Sequence, residues 1–190
     1  MKRLFITGIP TAGKSTLAKM LAEKTGARVG DGDAARYALK DDPRYAAAVN
    51  FYLDQDEARY YATTTPEQRW ANLVRQSETV WPGLREWIER EGGAAGDAPV
   101  VFEGVNLLPD LVARDFPGTP TCVIVSGSRE EVAARLAAKP RWGELEMQAH
   151  EAAEFFLEQV PRYHAEAGRH GFPVFESADA ALGWCLERLV

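Results

Sequence analysis

Cysteine is scarce in this chain of 190 residues: only Cys122 and Cys185 occur, far apart and in no metal-ligand or redox spacing. That excludes a disulfide framework and a thiolate metal centre, and leaves both as small core residues of a reduced protein. Histidine is equally thin. His150, His164 and His170 fall at no ligand spacing and read as helix-surface or packing residues. Long apolar runs are missing, which argues against a membrane span. The "LFI" after Lys2 and Arg3 is too short for a signal-peptide core, so the expected location is cytoplasmic. A positive excess is missing too: 22 Lys and Arg stand against 28 Asp and Glu, for a net charge of −6. Nucleic acid is therefore disfavoured as a partner, while a local basic pocket for a small anion remains open. There is no internal repeat, low-complexity tract or Pro/Ser-rich linker. With 46% hydrophobic residues, one domain with a proper core is expected.

What is present is an alternation. "RLFIT" (3–7), "ARVG" (27–30), "PVVFE" (99–103), "TCVIVS" (121–126) and "PVFE" (173–176) read as short buried strands. Between them the period is helical. Leu17, Met20 and Leu21 share a face ahead of a Gly26 stop, and "SREE" (128–131) has capping-box spacing. Met147, Phe155, Phe156, Val160 and Tyr163 predict a longer helix over about 146–168. Such alternation implies an α/β fold with a parallel sheet covered by helices.

Residues 34–96 break the rhythm with no strand pattern and a crowd of aromatics, including Tyr37, Tyr45, Phe51, Tyr52, Tyr60, Tyr61, Trp70, Trp81 and Trp87. "TPEQ" (65–68) opens a helix with a capping box and a proline at its first position. Trp70, Leu73, Val74, Ser77, Trp81, Leu84 and Ile88 continue it, with Pro82 expected to kink or interrupt it. "EGGAAGD" (91–97) reads as a flexible return to the sheet. The segment is thus a helical insertion between the second and third strands.

"GIPTAGKST" (8–16) carries the strongest chemical signal. Gly8 to Ser15 matches G-x-x-x-x-G-K-[ST], after a predicted strand and before a predicted helix, which is the context this motif requires. The glycines let backbone N–H groups turn inward onto phosphate oxygens, and the helix dipole adds positive potential. Gly8, Thr11, Ala12, Gly13, Lys14, Ser15 and Thr16 form this expected nucleotide site. Lys14 is expected to reach the β- and γ-phosphates, and Ser15 to ligate Mg²⁺. No N-K-x-D or L-S-G-G-Q motif accompanies it, so GTPase and ABC-type readings fall away.

The short chain opening on strand, P-loop and helix resembles the small-molecule kinase branch of P-loop proteins. The resemblance implies a three-layer fold with a five-stranded parallel sheet ordered 2-3-1-4-5, and transfer of the γ-phosphoryl group of ATP, with Mg²⁺, to a small-molecule acceptor. In "VGDGDAARY" (29–37) it implies Asp33 as the group that orients or deprotonates the acceptor hydroxyl, with Asp31 assisting Mg²⁺ through water. Arg36 would hold an anionic group of the acceptor. The alternative is that Asp33 merely caps the next helix. Glu103, at the end of "PVVFE", resembles a Walker B acid that would ligate Mg²⁺ through water or touch the acceptor, with Asn106 facing the same cleft. "ARLAAKPRWGE" (134–144) resembles a lid, expected at 138–146, in which Arg135 or Arg141 would stabilise charge on the γ-phosphoryl group. Lys139 belongs to the same cluster, whose alternative is a solvated basic helix end. The loop at 173–179 would meet adenine.

The insertion would then form a flap that binds the acceptor. Its aromatics could wall a ring or form the insertion's own core. Arg59, Arg69 and Arg75 are candidate anion holders. The stretch 71–112 resembles the corresponding part of the 2-phosphoglycerate kinase family at Arg75, Gln76, Val80, Glu103, Gly104, Val105 and Pro109. Asn106 stands where that family has His, and the basic lid is thinner. A hydrolytic ATP-dependent switch without an acceptor is the other class to be weighed, and a polynucleotide kinase is a third.

Overall fold

A computed structural model of the chain describes residues 2–138 and 145–189. Its frame is five parallel strands: β1 (Arg3–Gly8), β2 (Arg28–Asp31), β3 (Val100–Glu103), β4 (Thr121–Ile124) and β5 (Val174–Phe175). They lie in the order β2-β3-β1-β4-β5, the expected 2-3-1-4-5. β3 and β4 are buried throughout, and β1 is buried after Arg3. Sheets covered on both faces need strands that are apolar on both sides, which is why these segments lack alternation.

Helix α1 (Lys14–Thr25) follows β1 and ends at Gly26, whose left-handed φ of 71° lets its N–H close on the Ala22 carbonyl. Four helices separate β2 from β3: α2 (Gly32–Ala38), α3 (Ala46–Asn50), α4 (Glu57–Thr63) and α5 (Pro66–Ala94). The 29-residue α5 starts in the expected capping box of Thr65 and Gln68. Pro82 does not interrupt it. The Glu78 carbonyl that loses a donor there lies on the exposed side of the helix, where water can serve it. The helix also runs on through Gly92 and Gly93, so the return to the sheet begins about four residues later than expected.

Rings bind α5 to the sheet. Phe5 stacks on Phe102 at 5.6 Å, and Trp87 meets Phe102 edge-on at 5.3 Å. Helix α6 (Pro109–Asp115) follows β3, and α7 (Arg129–Ala138) follows β4. Then come α8 (Leu145–Ala153), a π-helical turn (Glu154–Gln159) and α9 (Val160–His170). The single helix expected over 146–168 is therefore broken by a wider turn. Pro161, just beyond it, has no N–H to give to the carbonyl four residues back, and the turn before it closes with the Val160 N–H on the Phe155 carbonyl. Helix α10 (Ala178–Leu189) packs against α1.

The two cysteines are not far apart in space. Cys122 on β4 and Cys185 on α10 are fully buried free thiols whose Sγ atoms lie 3.7 Å apart. No helix among the described residues is long and apolar enough to cross a membrane.

Candidate active site

β1 delivers the chain to the phosphate loop through a contact that only glycine tolerates. Gly8 has φ 131°, and a Cβ there would sit 1.9 Å from the Ile124 carbonyl oxygen on β4. Gly13 turns the chain into α1 at φ 98°, and its carbonyl accepts the Leu17 N–H at 2.9 Å. Thr11 takes φ 62°, the one left-handed non-glycine conformation among the described residues. Ala12 is buried, while Ser15 and Thr16 are exposed at the head of the helix. The Lys14 ammonium doubles back across the loop, donating to the carbonyls of Ile9 at 2.7 Å and Gly8 at 3.1 Å. A strand, a tight loop and a helix N-terminus are thus joined as the motif requires.

Glu103 ends β3 beside this loop and is only 5% exposed. Burial pushes its carboxyl up from the ordinary range, against the Ser15 hydroxyl and Lys14 ammonium nearby, which hold it down. Asp33 and Asp31 add to the upward push. A carboxylate next to a hydroxyl at the head of α1 is a hard-oxygen pair that fits Mg²⁺, which takes one or two protein oxygens and completes its shell with water and phosphate. No group of three or more His, Cys, Asp or Glu suited to a metal occurs among the described residues.

Of the two aspartates of "VGDGD", the one that caps is not the one the capping alternative named. Asp31, not Asp33, is the cap of α2: its Oδ1 accepts the N–H groups of Asp33 and Ala34, both at 2.9 Å. Asp31 lies on the rim of a separate surface pocket with Arg28, Trp87 and Glu91. Asp33, set free, borders a cavity of about 200 Å³ next to the loop. Gly32 and Gly104 permit the approach, since a Cβ on Gly32 would come within 2.8 Å of the Glu103 carbonyl oxygen.

That cavity is bounded near the loop by Pro10, Asp33, Arg36, Val105 and Asn106. The insertion contributes Tyr52, Leu53, Tyr60, Tyr61, Arg69, Leu73 and Gln76, and the far wall is Glu151, Glu154, Phe155 and Gln159. Arg36 and Asn106 thus both line the cavity, although the Asn106 amide is spent within the protein. It donates to Gln76 Oε1 at 3.1 Å and Ser77 Oγ at 2.8 Å. Arg75 does not join them. It is exposed on α5, and its neighbour Gln76 takes the inward position. Tyr60 is buried in an edge-to-face cluster with Phe51, Tyr52 and Tyr61, so the insertion's aromatics both form its core and wall the cavity.

Arg135 reaches the phosphate loop itself, donating to the Thr11 carbonyl at 3.3 Å and to Ser126 Oγ at 2.9 Å. Arg141, Lys139 and most of the expected lid lie outside the described residues. The 173–179 loop brings Ala178 against Gly13, within 3.6 Å of where a Cβ would stand. Glu151, Glu154, Gln159 and Ser126 belong to no motif that marks them in the sequence. The one available signal was an acidic pair three residues apart on a helix otherwise read only for its apolar face.

No protein-family model matches the chain, and no curated protein matches it in sequence. Its fold is shared with solved structures. The crystal structure of TT1252 from Thermus thermophilus superposes with a TM-score of 0.61 at 20% identity, covering 100% of this chain and 98% of that one. A sugar kinase from Janibacter sp. gives 0.53 at 15% identity, covering 100% and 94%. Shikimate kinase from Acinetobacter baumannii, solved with shikimate, gives 0.52 at 13%, covering 98% and 94%. The chain has the α/β fold of P-loop kinases.

Proposed function

We propose that this protein is a small-molecule kinase that transfers the γ-phosphoryl group of ATP to a hydroxyl of an acceptor bound in the cavity. One observation carries the reading: phosphate loop and cavity share a border, and Asp33 stands on it. In the transfer the acceptor oxygen bonds to the γ-phosphorus, the bond to the β–γ bridging oxygen breaks, and ADP leaves. The hydroxyl proton passes to Asp33. Lys14 and Arg135 offset charge on the phosphoryl oxygens, a role Arg141 would share from the lid. Ser15 and, through water, Glu103 are the residues that would hold Mg²⁺, which would supply further charge neutralisation.

The resemblance of 71–112 to 2-phosphoglycerate kinases suggests a glycerate derivative, but Arg75, part of that resemblance, is not at the cavity. The test is ADP release from Mg-ATP across glycerates, sugar acids, sugars, polyols, nucleosides and aminoglycosides, with phosphorylated product identified by phosphorus NMR. Asp33→Asn should lower turnover by about 10²–10⁴-fold while nucleotide still binds, and Lys14→Ala should weaken nucleotide binding itself. ADP release indifferent to every acceptor, with no phosphorylated compound, would replace the kinase by a hydrolytic switch.

A further inference from the structure

The far wall of the cavity holds two hydrogen-bond acceptors that the protein leaves without donors. Glu154 Oε1 and Gln159 Oε1 are buried and unpartnered, on side chains of residues 4% and 8% exposed. A buried acceptor left so is costly, so such groups ordinarily find a donor. The winding of the chain brings them together. At the α-helical 100° per residue, side chains five apart point about 140° away from each other. The Glu154–Gln159 segment instead closes its bonds over five residues, which brings these two toward one side of the turn, and both line the cavity.

Charge narrows what can lie there. The Arg69 guanidinium is already engaged, with Nε donating to Glu154 Oε2 at 2.8 Å, a terminal nitrogen donating to the Thr64 carbonyl at 2.6 Å, and the cation 5.0 Å from the Tyr61 ring. An anionic ligand group at this wall would face the Glu154 and Glu151 carboxylates, and an ammonium would have to compete with Arg69 for Glu154. A neutral hydroxyl meets neither objection. At the opposite end Arg36 Nε is a buried donor without an acceptor, next to Asp33. A hydroxyl there can accept from Arg36 and give its proton to Asp33. Tyr52, Tyr60 and Tyr61 offer flat apolar walls for the hydrocarbon face of a ring. The cavity is smaller than the roughly 300–1,000 Å³ of drug-sized sites.

We infer that the acceptor is an uncharged, single-ring polyol, whose distal hydroxyls donate to Glu154 and Gln159 while a proximal hydroxyl receives the phosphoryl group. This rests on the kinase reading above.

The experiment compares ring-matched probes with Mg-ATP: inositol and glucose, glucosamine, and glucuronate. Product is read by phosphorus NMR, and kcat and KM by ADP release. The expected result is kcat/KM at least about tenfold higher for an uncharged probe than for its charged counterparts. Gln159→Leu should then raise the KM of that probe about 5- to 30-fold with kcat within about twofold, as loss of one buried hydrogen bond implies. Gln159→Met is the second variant should the first not fold. A charged probe preferred tenfold, equal turnover of all probes, or an unchanged KM in a folded Gln159 variant would overturn the inference while leaving a kinase. ATP turnover without any phosphorylated probe would overturn the kinase reading, and this inference with it.

Discussion

Asn106→Leu separates a structural tie from a substrate contact. Asn106 is 3% exposed, and its amide nitrogen bridges Gln76 Oε1 and Ser77 Oγ on α5. Gln76 in turn donates to the Ala48 carbonyl of α3 at 2.8 Å, and Ser77 to the Leu73 carbonyl at 2.8 Å. One side chain after β3 therefore fastens the helical insertion to the sheet. Leucine, of the same branched shape, removes both donations. Two buried hydrogen bonds contribute about 1 kcal/mol each, and the orphaned Gln76 oxygen adds its desolvation, giving a loss of about 2–4 kcal/mol. For a chain of this size each kcal/mol moves Tm by about 2–4 °C, so the variant should melt about 5–15 °C lower. Thermal unfolding by circular dichroism reads this directly. A cycle with Gln76→Leu should show coupling of about 1 kcal/mol, because the orphan disappears when both partners are apolar. A melting temperature within about 2 °C of the parent would refute the reasoning, and a rise in acceptor KM alongside it would return Asn106 to the substrate.

Two further perturbations test the frame around the site. Gly8→Ala should destabilise the fold by more than about 3 kcal/mol, because its Cβ would press on the Ile124 backbone at 1.9 Å and neither strand can move aside; a soluble variant with parental urea midpoint would contradict this. Glu166 has its carboxyl pushed up to about 7, chiefly by burial and then by the Asp110 charge, against Arg169 and His170. The folded chain thus keeps a proton that the unfolded chain releases near 4.5, so stability from this group is full below that pH and is lost as pH rises through 7. Glu166→Gln cannot ionise and should gain on the parent by about 1 kcal/mol between pH 4 and pH 8, after allowance for solvent screening. Parallel stability curves for the two, measured by urea unfolding across that range, would sink the assignment.

Where the sequence was legible, the structure is local. The strands of the sheet could be read because burial on both faces leaves runs such as "RLFIT" and "TCVIVS" with little choice of conformation. The phosphate loop could be read because one contiguous segment contains the strand end, both glycines, the lysine and the helix start. Its spacing is its geometry. The misreadings occur where a distant partner decides. The contact of Cys122 with Cys185 depends on α10 lying against β4. Pro82 looked like an interruption and is not one, because the carbonyl it leaves without a donor faces water.

The same distinction explains why the donor side of the proposed reaction was visible and the acceptor side was not. Phosphate is the same ligand in every P-loop protein, so its grip can be built from backbone and one conserved geometry. An acceptor is particular to its enzyme, and the walls of the cavity proposed for it here come from the phosphate loop, α2, the insertion, the loop after β3, α8 and the π-helical turn. No window of sequence spans those pieces. The turn itself has a local cause in Pro161, yet its consequence, the meeting of Glu154 and Gln159, needs five-residue winding where periodicity assumes 3.6. Reading that segment at α-helical pitch puts the two side chains on different faces, and with that assumption the far wall of the cavity disappears from view.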